Sequence, residues 1–276
     1  MAKPLQGHSA RKRFGQNFLV DDDYIDRIIE QIAAHPDDHI VEIGPGLGAI
    51  TQRLLPPNCK TLTAIEIDND LVERLKNQHD DQITIVHSDV LNVDFAELAK
   101  RMSPAGDGSA PSMKIVGNLP YNISSPLLFH LSRFMPSISE IHVMLQKEMA
   151  QRIYAESGTK HYGRLSVMMQ YHFDVALGFH LPPGAFHPPP KVDSSFIELH
   201  PRQSISLVCD DIELMSAVVN EAFQQRRKTL RNTLKNRLKD EDFEQLAIDP
   251  SQRPDALCVD DYVRISNYLS AQQHNL

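Results

Sequence analysis

The stretch Glu42-Ile43-Gly44-Pro45-Gly46-Leu47-Gly48 decides the fold class of this chain. It ends a short apolar run at 39–43 and leads into a helix-like stretch at 48–55. Glycines at a strand-to-helix turn let the backbone approach a ligand closely, and such turns mark the switch point of open α/β sheets. The stretch therefore predicts a ligand site at the carboxyl end of a parallel strand.

Short apolar runs alternate with longer amphipathic stretches on both sides of this turn. The candidate strands are 39–43, 61–67, 83–88, 113–118 and 140–145, and the helix-like stretches are 20–34, 48–55, 69–78, 94–102 and 124–135. Two further β-like runs, 173–181 and 194–200, are expected to close the sheet with a hairpin. Repeated strand-then-helix order predicts an α/β domain of doubly wound, Rossmann-like architecture.

Two segments interrupt this alternation. Residues 103–112 are small and polar and predict a loop, whereas the proline-rich residues 182–190 cannot form a helix or a central strand. After Pro201 the pattern is helical only, which places a boundary near 201–206. We expect one domain at 1–203, with a basic N-terminal arm, and a small all-helical domain at 204–276.

Composition excludes several classes of protein. The 276 residues contain no apolar stretch near the roughly 18 residues of a membrane span, and the N-terminus has no apolar segment typical of a secretory signal. Cys59, Cys209 and Cys258 form no CxxC pair, and the 13 histidines form no HExxH motif. We expect a cytoplasmic monomer without metal or disulfide framework.

The charge of the chain is segregated. Residues 1–20 carry +4 and residues 222–239 carry +7, without one acidic residue in either segment. Because the whole chain carries −8, the other 238 residues carry −19. A net negative charge alone argues against a phosphate-rich partner, but two basic segments on an acidic body are typical of a nucleic-acid binder.

The second basic segment predicts an amphipathic helix over 222–239. Leu230, Leu234 and Leu238 recur every four residues, as do the neighbouring cations from Arg227 onward. A merely solvated helix face is the alternative, although such faces usually mix both signs of charge. The candidate RNA-binding residues of the two segments are Arg11, Lys12, Arg13, Arg226, Arg227, Lys228, Arg231 and Lys235.

The turn at 44–48 favours a cationic ligand. Its spacing is GxGxG, whereas dinucleotide sites use GxGxxG, and an acid at Glu42 would repel a pyrophosphate. S-adenosylmethionine carries a sulfonium and an ammonium group, which suit such a site. Glu66 ends the second strand and is positioned for the ribose hydroxyls, and Asp89 follows the third strand and is positioned for an adenine amino group. The alternative is a glycine turn with surface acids.

The fourth strand ends in Asn118-Leu119-Pro120-Tyr121, which resembles the (N/D)-P-P-(Y/F) motif of methyltransferases that modify exocyclic amines, especially adenine N6. Such an amine is a poor nucleophile because its lone pair is delocalised into the ring. The Asn118 side-chain carbonyl and the Leu119 backbone carbonyl can accept its two N–H groups, which favours a pyramidal nitrogen. Tyr121 can stack on a base taken out of its helix.

Several further motifs, in order, make the resemblance specific. Residues 13–19 (RFGQNFL), 118–127 (NLPYNISSPL), 162–167 (YGRLSV), 186–194 (FHPPPKVDS) and 223–234 (FQQRRKTLRNTL) resemble the ribosomal RNA adenine dimethyltransferase family. Within it, the bacterial enzymes that dimethylate two adjacent adenines near the 3′ end of 16S RNA, in the small ribosomal subunit, are most similar. The resemblance covers nearly the whole chain.

The resemblance implies a role for each motif residue. The implied cofactor-binding residues are Asn17, Leu19, Gly44, Gly46, Glu66, Asp89 and Asn118, and the implied catalytic residues are Asn118, Leu119, Pro120, Tyr121 and Phe186. Tyr121 and Phe186 would sandwich the target adenine, with Phe186 on a proline-fixed loop. Without the resemblance, Phe186 would be interpreted as a core aromatic residue in a tight turn.

These residues bear on four possible functions. The favoured one is methyl transfer from S-adenosylmethionine to adenine N6 of ribosomal RNA. A ribosome-assembly factor that docks through its basic segments can coexist with it, and a DNA adenine methyltransferase would share its pocket chemistry. A nicotinamide oxidoreductase is disfavoured by GxGxG, by Glu42 and by NLPY.

Overall fold

The computed structural model describes residues 5–102 and 112–274, so the loop expected at 103–112 lies almost wholly outside the described residues. The strands are β1 (Phe18–Leu19), β2 (His39–Ile43), β3 (Thr61–Glu66), β4 (Thr84–His87), β5 (Met113–Asn118), β6 (Ile138–Gln146), β7 (Phe173–Leu181), β8 (Phe186–His187) and β9 (Ser194–Pro201). The α-helices are α1 (Asp22–Ile32), α2 (Thr51–Leu54), α3 (Asn69–His79), α4 (Phe95–Met102), α5 (Ser124–Leu131), α6 (Lys147–Ile153), α7 (Arg164–His172), α8 (Ile212–Gln224), α9 (Leu230–Thr233), α10 (Asp240–Leu246) and α11 (Val259–His274).

One seven-stranded sheet carries the fold, in the order β4-β3-β2-β5-β6-β9-β7. Strands β2 to β6 pair in parallel, and β9 runs antiparallel to β6. The expected α/β class with a central parallel sheet is therefore confirmed. The order of strands reverses between β2 and β5, which is the switch point where open α/β sheets bind ligands.

The central strands are apolar because they are covered on both faces. All five residues of β2 are buried, as are the first five residues of β5. Helix α1 adds Ile25, Ile28 and Ile32 to this core, at a spacing that places them on one helix face. None of the described helices combines the length and the apolarity that crossing a membrane requires.

The chain divides into two compact units, of which the first comprises 1–150 and 174–201 and the second 151–173 and 202–276. The first unit ends at Pro201, where the sequence pattern also changes, and the domain bounds expected from the sequence stay a prediction. The second unit also takes in residues 151–173, which the sequence analysis placed in the larger domain. The reason is that α7 packs against α8 and α11.

The basic segment does not form the single helix predicted over 222–239. Helix α8 ends at Gln224, and Gln225 has a non-helical backbone, with φ −124° and ψ 65°. The N–H groups of Leu230 and Arg231 then donate to the carbonyl oxygens of Gln252 (2.8 Å) and Pro250 (3.0 Å) instead of to the preceding turn. A neighbouring loop thus satisfies the first N–H groups of α9, and within 222–239 only the end of α8 and the four residues of α9 are α-helical.

Candidate active site

A cavity of about 320 Å³ opens at the carboxyl ends of β2, β3 and β5, within the first unit. Its volume lies at the lower end of the range typical of small-molecule sites. The sequence-predicted residues that line it are Asn17, Leu19, Gly44, Gly46, Glu66, Asp89, Asn118, Leu119, Pro120 and Tyr121, together with Glu42 and Arg13. The proposed cofactor and substrate motifs therefore face one cavity.

The glycine turn forms one wall of this cavity. Gly44 and Gly46 have φ of +65° and +59°, in the left-handed region that favours glycine. A Cβ atom on Gly46 would lie 3.0 Å from the Phe18 ring. Glycine at this position thus allows both the tight turn and the close approach of the N-terminal segment to the cavity.

Glu66 is held in a fixed orientation at the end of β3. Its Oε1 accepts the backbone N–H groups of Ile67 and Asp68, both at 2.9 Å. Burial raises the pKa of the Glu66 carboxyl, while these N–H groups oppose the rise. The backbone N–H of Gly46 also bonds to this carboxyl, so that the lone pairs that remain on it are those that can accept from a ligand.

Asp89 and Ile67 complete this side of the cavity. Asp89 Oδ1 accepts the N–H of Leu91 at 3.0 Å and caps a short turn, so that its second oxygen can accept from a ligand. Ile67 lines the cavity and is 42% exposed, although it is a large aliphatic residue. The sequence analysis did not single out Ile67; its place between Glu66 and Asp68 at a strand end was the available signal.

Glu42 is a buried acid on the cavity wall. Burial raises its pKa to about 7, the neighbouring Glu66 contributes to the rise, and the hydroxyl of Thr51, which donates to Oε2 at 2.7 Å, opposes it. Near neutral pH, Glu42 therefore exists in both protonation states. A cation bound nearby would favour the charged state.

Asn118 presents its carbonyl oxygen to the cavity because its amide nitrogen is already engaged. Nδ2 donates to the backbone carbonyl of Asn17 at 2.7 Å. Leu119 is anchored through its own N–H, which donates to the Met144 carbonyl at 3.2 Å. Within the described residues, no hydrogen bond reaches Asn118 Oδ1 or the Leu119 carbonyl oxygen. Two acceptors thus remain, as the chemistry of an exocyclic amine requires.

The aromatic residues of the cavity differ from those expected. Tyr121 lines it and is half-buried, and its hydroxyl is 2.6 Å from Ser194 Oγ. Phe186 does not line it: it is 3% exposed, pairs with Leu19 across β1 and β8, and packs in the core. This placement is that of a core aromatic residue, so that contact between Phe186 and an adenine stays a prediction. Phe14 and Phe18 line the cavity instead, which the sequence analysis missed.

The comparison with known families identifies the chain. The model of the ribosomal RNA adenine dimethylase family matches residues 7–271. The chain belongs to this dimethylase family.

Relatives agree over the full length of this dimethylase. The ribosomal RNA small subunit methyltransferase A of Dechloromonas aromatica is 48% identical and covers 96% of this chain and 100% of that protein. The protein of the same name from Acinetobacter baylyi is 46% identical over 96% of this chain and 94% of its own length. A dimethyladenosine transferase from Plasmodium falciparum has the same fold, with a TM-score of 0.75 at 24% identity, over 93% of this chain and 98% of that one.

Membership of the dimethylase family confirms the expected enzyme class: the protein is a methyltransferase whose methyl donor is S-adenosylmethionine. The cavity fits this cofactor. The remaining lone pairs of Glu66 and the second oxygen of Asp89 would accept from ribose hydroxyls and an adenine amine. Glu42 supplies negative charge for a cationic tail, and glycines at 44 and 46 leave the cradle without side chains. Within the described residues, no three His, Cys, Asp or Glu side chains are grouped as for a metal ion.

The N-terminal cations of the dimethylase have separate environments. Arg11 donates to Asp68 at 2.6 Å and also pairs with Asp70, so that its charge is used within the protein. This differs from the RNA-binding role expected of Arg11. Arg13 is exposed, lies over the Phe14 ring and lines the cavity. The side chain of Lys12 and the whole of Lys3 lie outside the described parts of the chain.

The second unit carries the larger set of cations. Leu230, Leu234 and Leu238 are buried, and the cations between them are mostly exposed, although no single helix presents them. Arg226 donates to the Thr159 carbonyl, Arg231 pairs with Asp240 and Arg237 pairs with Glu221. Arg227, Lys228 and Lys235 are exposed and have no ion pair with a described residue. These three cations are the most available for phosphates.

Proposed function

We propose that this protein transfers methyl groups from S-adenosylmethionine to N6 of two adjacent adenines near the 3′ end of 16S ribosomal RNA, in the small ribosomal subunit. Relatives at 46 to 48% identity carry the name ribosomal RNA small subunit methyltransferase A. The observation that carries the proposal is the orientation of Asn118, whose amide nitrogen is engaged and whose carbonyl oxygen faces the cofactor cavity.

Some residues of the cavity bind the cofactor, and others bind the target adenine. Glu66 and Asp89 hold the ribose and adenine of the cofactor, which supplies an electrophilic methyl group on a sulfonium. Asn118 Oδ1 and the Leu119 carbonyl accept the two N–H groups of the target amine and direct its lone pair toward that methyl group. Tyr121, whose hydroxyl is held by Ser194, supplies a stacking face. For each methyl group, the new N–C bond would form as the C–S bond of the sulfonium breaks, the sulfur would leave as a neutral thioether, and the surplus proton of the amine would pass to solvent. Both acceptors are carbonyl oxygens and keep their protonation state; in the second transfer only one N–H remains for them to accept.

The cations of the second unit bind phosphates of the RNA. Arg227, Lys228 and Lys235 contribute the non-specific part of the affinity, and the cavity selects the extruded adenine. The proposal extends to a cytoplasmic monomer that acts during small-subunit assembly.

The experiment that tests this function uses unmethylated small subunits and labelled S-adenosylmethionine. The wild type is expected to form N6,N6-dimethyladenosine at two adjacent positions. Asn118→Ala should lower the rate by about 10² to 10³, the usual cost of a lost transition-state acceptor, while Asn77→Ala on the exposed side of α3 should leave it unchanged. Methylation of duplex DNA in place of subunits would assign the protein to DNA instead.

A role as an assembly factor is favoured by one observation. Arg227, Lys228 and Lys235, exposed cations of the basic segment, lie in the second unit, whereas every cavity residue lies in the first. Binding to the subunit should therefore be separable from catalysis. Asn118→Ala should bind small subunits with wild-type affinity; loss of binding together with activity would argue against a separate docking role.

A further inference from the structure

A second network of polar groups lies beside the cavity, around Asp68. Its side chain is fully buried, and the chemistry described above does not use it. Asp68 Oδ1 accepts from Arg11 Nη1 at 2.6 Å, and Oδ2 accepts from Gln16 Nε2 at 3.0 Å. A buried carboxylate is stable only when its partners satisfy both oxygens. Oδ1 also accepts the backbone N–H of Asp70 at 3.1 Å, so that the two side-chain donors to Asp68 are both supplied by the N-terminal segment.

These contacts close residues 11–16 into a compact loop. Gln16 Oε1 accepts the backbone N–H of Arg11 at 2.8 Å, and the N–H of Phe14 donates to the Arg11 carbonyl at 3.1 Å. Gln16 therefore bonds to both Asp68 and Arg11, and Arg11 also bonds to Asp68. The three residues form one closed ring of hydrogen bonds, in which Arg11 takes part through both its backbone N–H and its guanidinium group.

Asn17 lies between this ring and a second anchor. Gln16 precedes it, and Phe18 follows it in β1, paired with His187 of β8. With both neighbours fixed, the Asn17 carbonyl has a defined direction, and it accepts Asn118 Nδ2 at 2.7 Å. The orientation of the Asn118 carbonyl oxygen thus depends on Asp68 through Gln16 and Asn17.

We propose that Asp68 is a positioning residue, which holds the 11–17 segment so that the Asn17 carbonyl orients the Asn118 carboxamide toward the target amine. The inference rests on the function proposed for Asn118. The end of β3 then serves both substrates: Glu66 binds the cofactor, and Asp68, two residues later, fixes the orientation of Asn118, whose Oδ1 accepts from the substrate nitrogen.

The test compares two carboxylates that bind the same arginine. Asp68→Asn should lower kcat at least tenfold, because a neutral amide cannot accept from both Arg11 and Gln16. Asp70→Asn removes only the second partner of Arg11, whose side chain is 60% exposed, so kcat should stay within twofold of the wild-type value. The Kd for S-adenosylmethionine should change less than kcat, because Glu66 retains its backbone bonds although Asn17 belongs to the released segment. Thermal unfolding will show whether the variants are folded. Gln16→Met, at a half-exposed position, should reproduce the loss of kcat without removing a buried charge.

A double-mutant cycle separates positioning from general damage. In an Asn118→Ala background, Asp68→Asn should change the residual single-turnover rate less than twofold, because the positioned group is gone. An equal loss in both backgrounds would overturn the inference, as would wild-type kcat in both Asp68→Asn and Gln16→Met. Failure of the proposed function is a different result: the wild type and Asp70→Asn would then also leave 16S adenines unmodified.

Discussion

At the scale of single residues, the direction of one carboxamide decides the chemistry. Asn118→Asp retains the shape of the side chain but replaces the donor Nδ2 by an oxygen, 2.7 Å from the Asn17 carbonyl in the present geometry. Two acceptors repel at that distance, so the carboxylate should turn away. We expect kcat to fall by about 10² or more, with an unchanged Kd for RNA, measured by single-turnover methylation and filter binding. Activity close to wild type would contradict the role of the Asn17 carbonyl.

The pKa of Glu42 predicts how cofactor binding depends on pH. Because burial raises this pKa to about 7, Glu42 is largely neutral below that pH. A cationic ligand binds best to the ionised form, so affinity for S-adenosylmethionine should fall as the pH drops from 8 to 6, by up to about tenfold per unit below the pKa. Glu42→Gln should flatten this dependence, whereas the exposed Glu30→Gln should not. Calorimetry between pH 6 and pH 8 measures this affinity. The same dependence of affinity on pH in Glu42→Gln and in the wild type would contradict the role of Glu42.

The same shift has a consequence for stability. The folded-state pKa of Glu42 lies above the ordinary value of 4.5, so the native protein binds the extra proton between pH 4.5 and about 7. The contribution of this group to the free energy of unfolding therefore declines as the pH rises through that window. Glu42→Gln, which retains an acceptor for Thr51, should raise stability at pH 8 by about 3 kcal/mol at most. Thermal unfolding at pH 5 and pH 8 should show the gain only at pH 8.

Residue roles that depend on strand ends could be predicted, and those that depend on tertiary partners could not. Glu66 and Asp89 follow strands, so their place at the cavity follows from the topology of a parallel sheet. Arg11 carries the same charge as Arg13 in the sequence, but only the fold brings Arg11 to Asp68. The burial of Phe186 likewise depends on the pairing of β8 with β1, two short strands without a period to detect.

At the scale of elements, hydrophobic periodicity predicted burial better than backbone geometry. β2 and β5 occupy the predicted 39–43 and 113–118, because strands at the centre of a parallel sheet are continuous apolar runs. Over 222–239, the leucine spacing correctly marked the buried positions, yet α8 ends at Gln224. The carbonyl groups of Pro250 and Gln252, which accept the first N–H groups of α9, lie about 20 residues away in sequence and leave no local signal.

The basic segment of the second unit should determine the salt dependence of RNA binding. Replacing Arg227, Lys228 and Lys235 with alanine should lower the slope of log K against log salt by about two to three, at about 0.7 to 0.9 for each lost phosphate contact. Arg231→Ala is the matched control, since Arg231 already pairs with Asp240 at 3.0 Å and should change the slope less. Titration of small-subunit RNA between low and moderate salt measures the slope, and an unchanged slope in the triple variant would refute phosphate binding.

At the scale of the whole molecule, positive and negative charges are segregated, which the net charge alone does not reveal. The chain carries −8 in total, although residues 1–20 and 222–239 together carry +11. Arg11 and Arg231 show that part of this positive charge is paired within the protein, so that Arg227, Lys228 and Lys235, exposed and without an ion pair to a described residue, are cations of the second segment that remain for RNA. The acidic remainder of −19 then repels phosphates over most of the surface, which should restrict RNA to the basic segment.

This repulsion can be weakened without touching either site. Glu30→Gln, Asp81→Asn and Glu244→Gln change exposed acids that make no ion pair with a described residue, and together they shift the net charge from −8 to −5. Affinity for unrelated RNA should rise about twofold or more at low salt, and the gain should vanish as salt shortens the range of the field. The opposite change, with Asn77→Asp, Gln78→Glu and Gln245→Glu at exposed positions, should lower that affinity. If both variants bind unrelated RNA like the wild type, the acidic surface does not limit where RNA binds, and selectivity rests on the cavity and the basic segment alone.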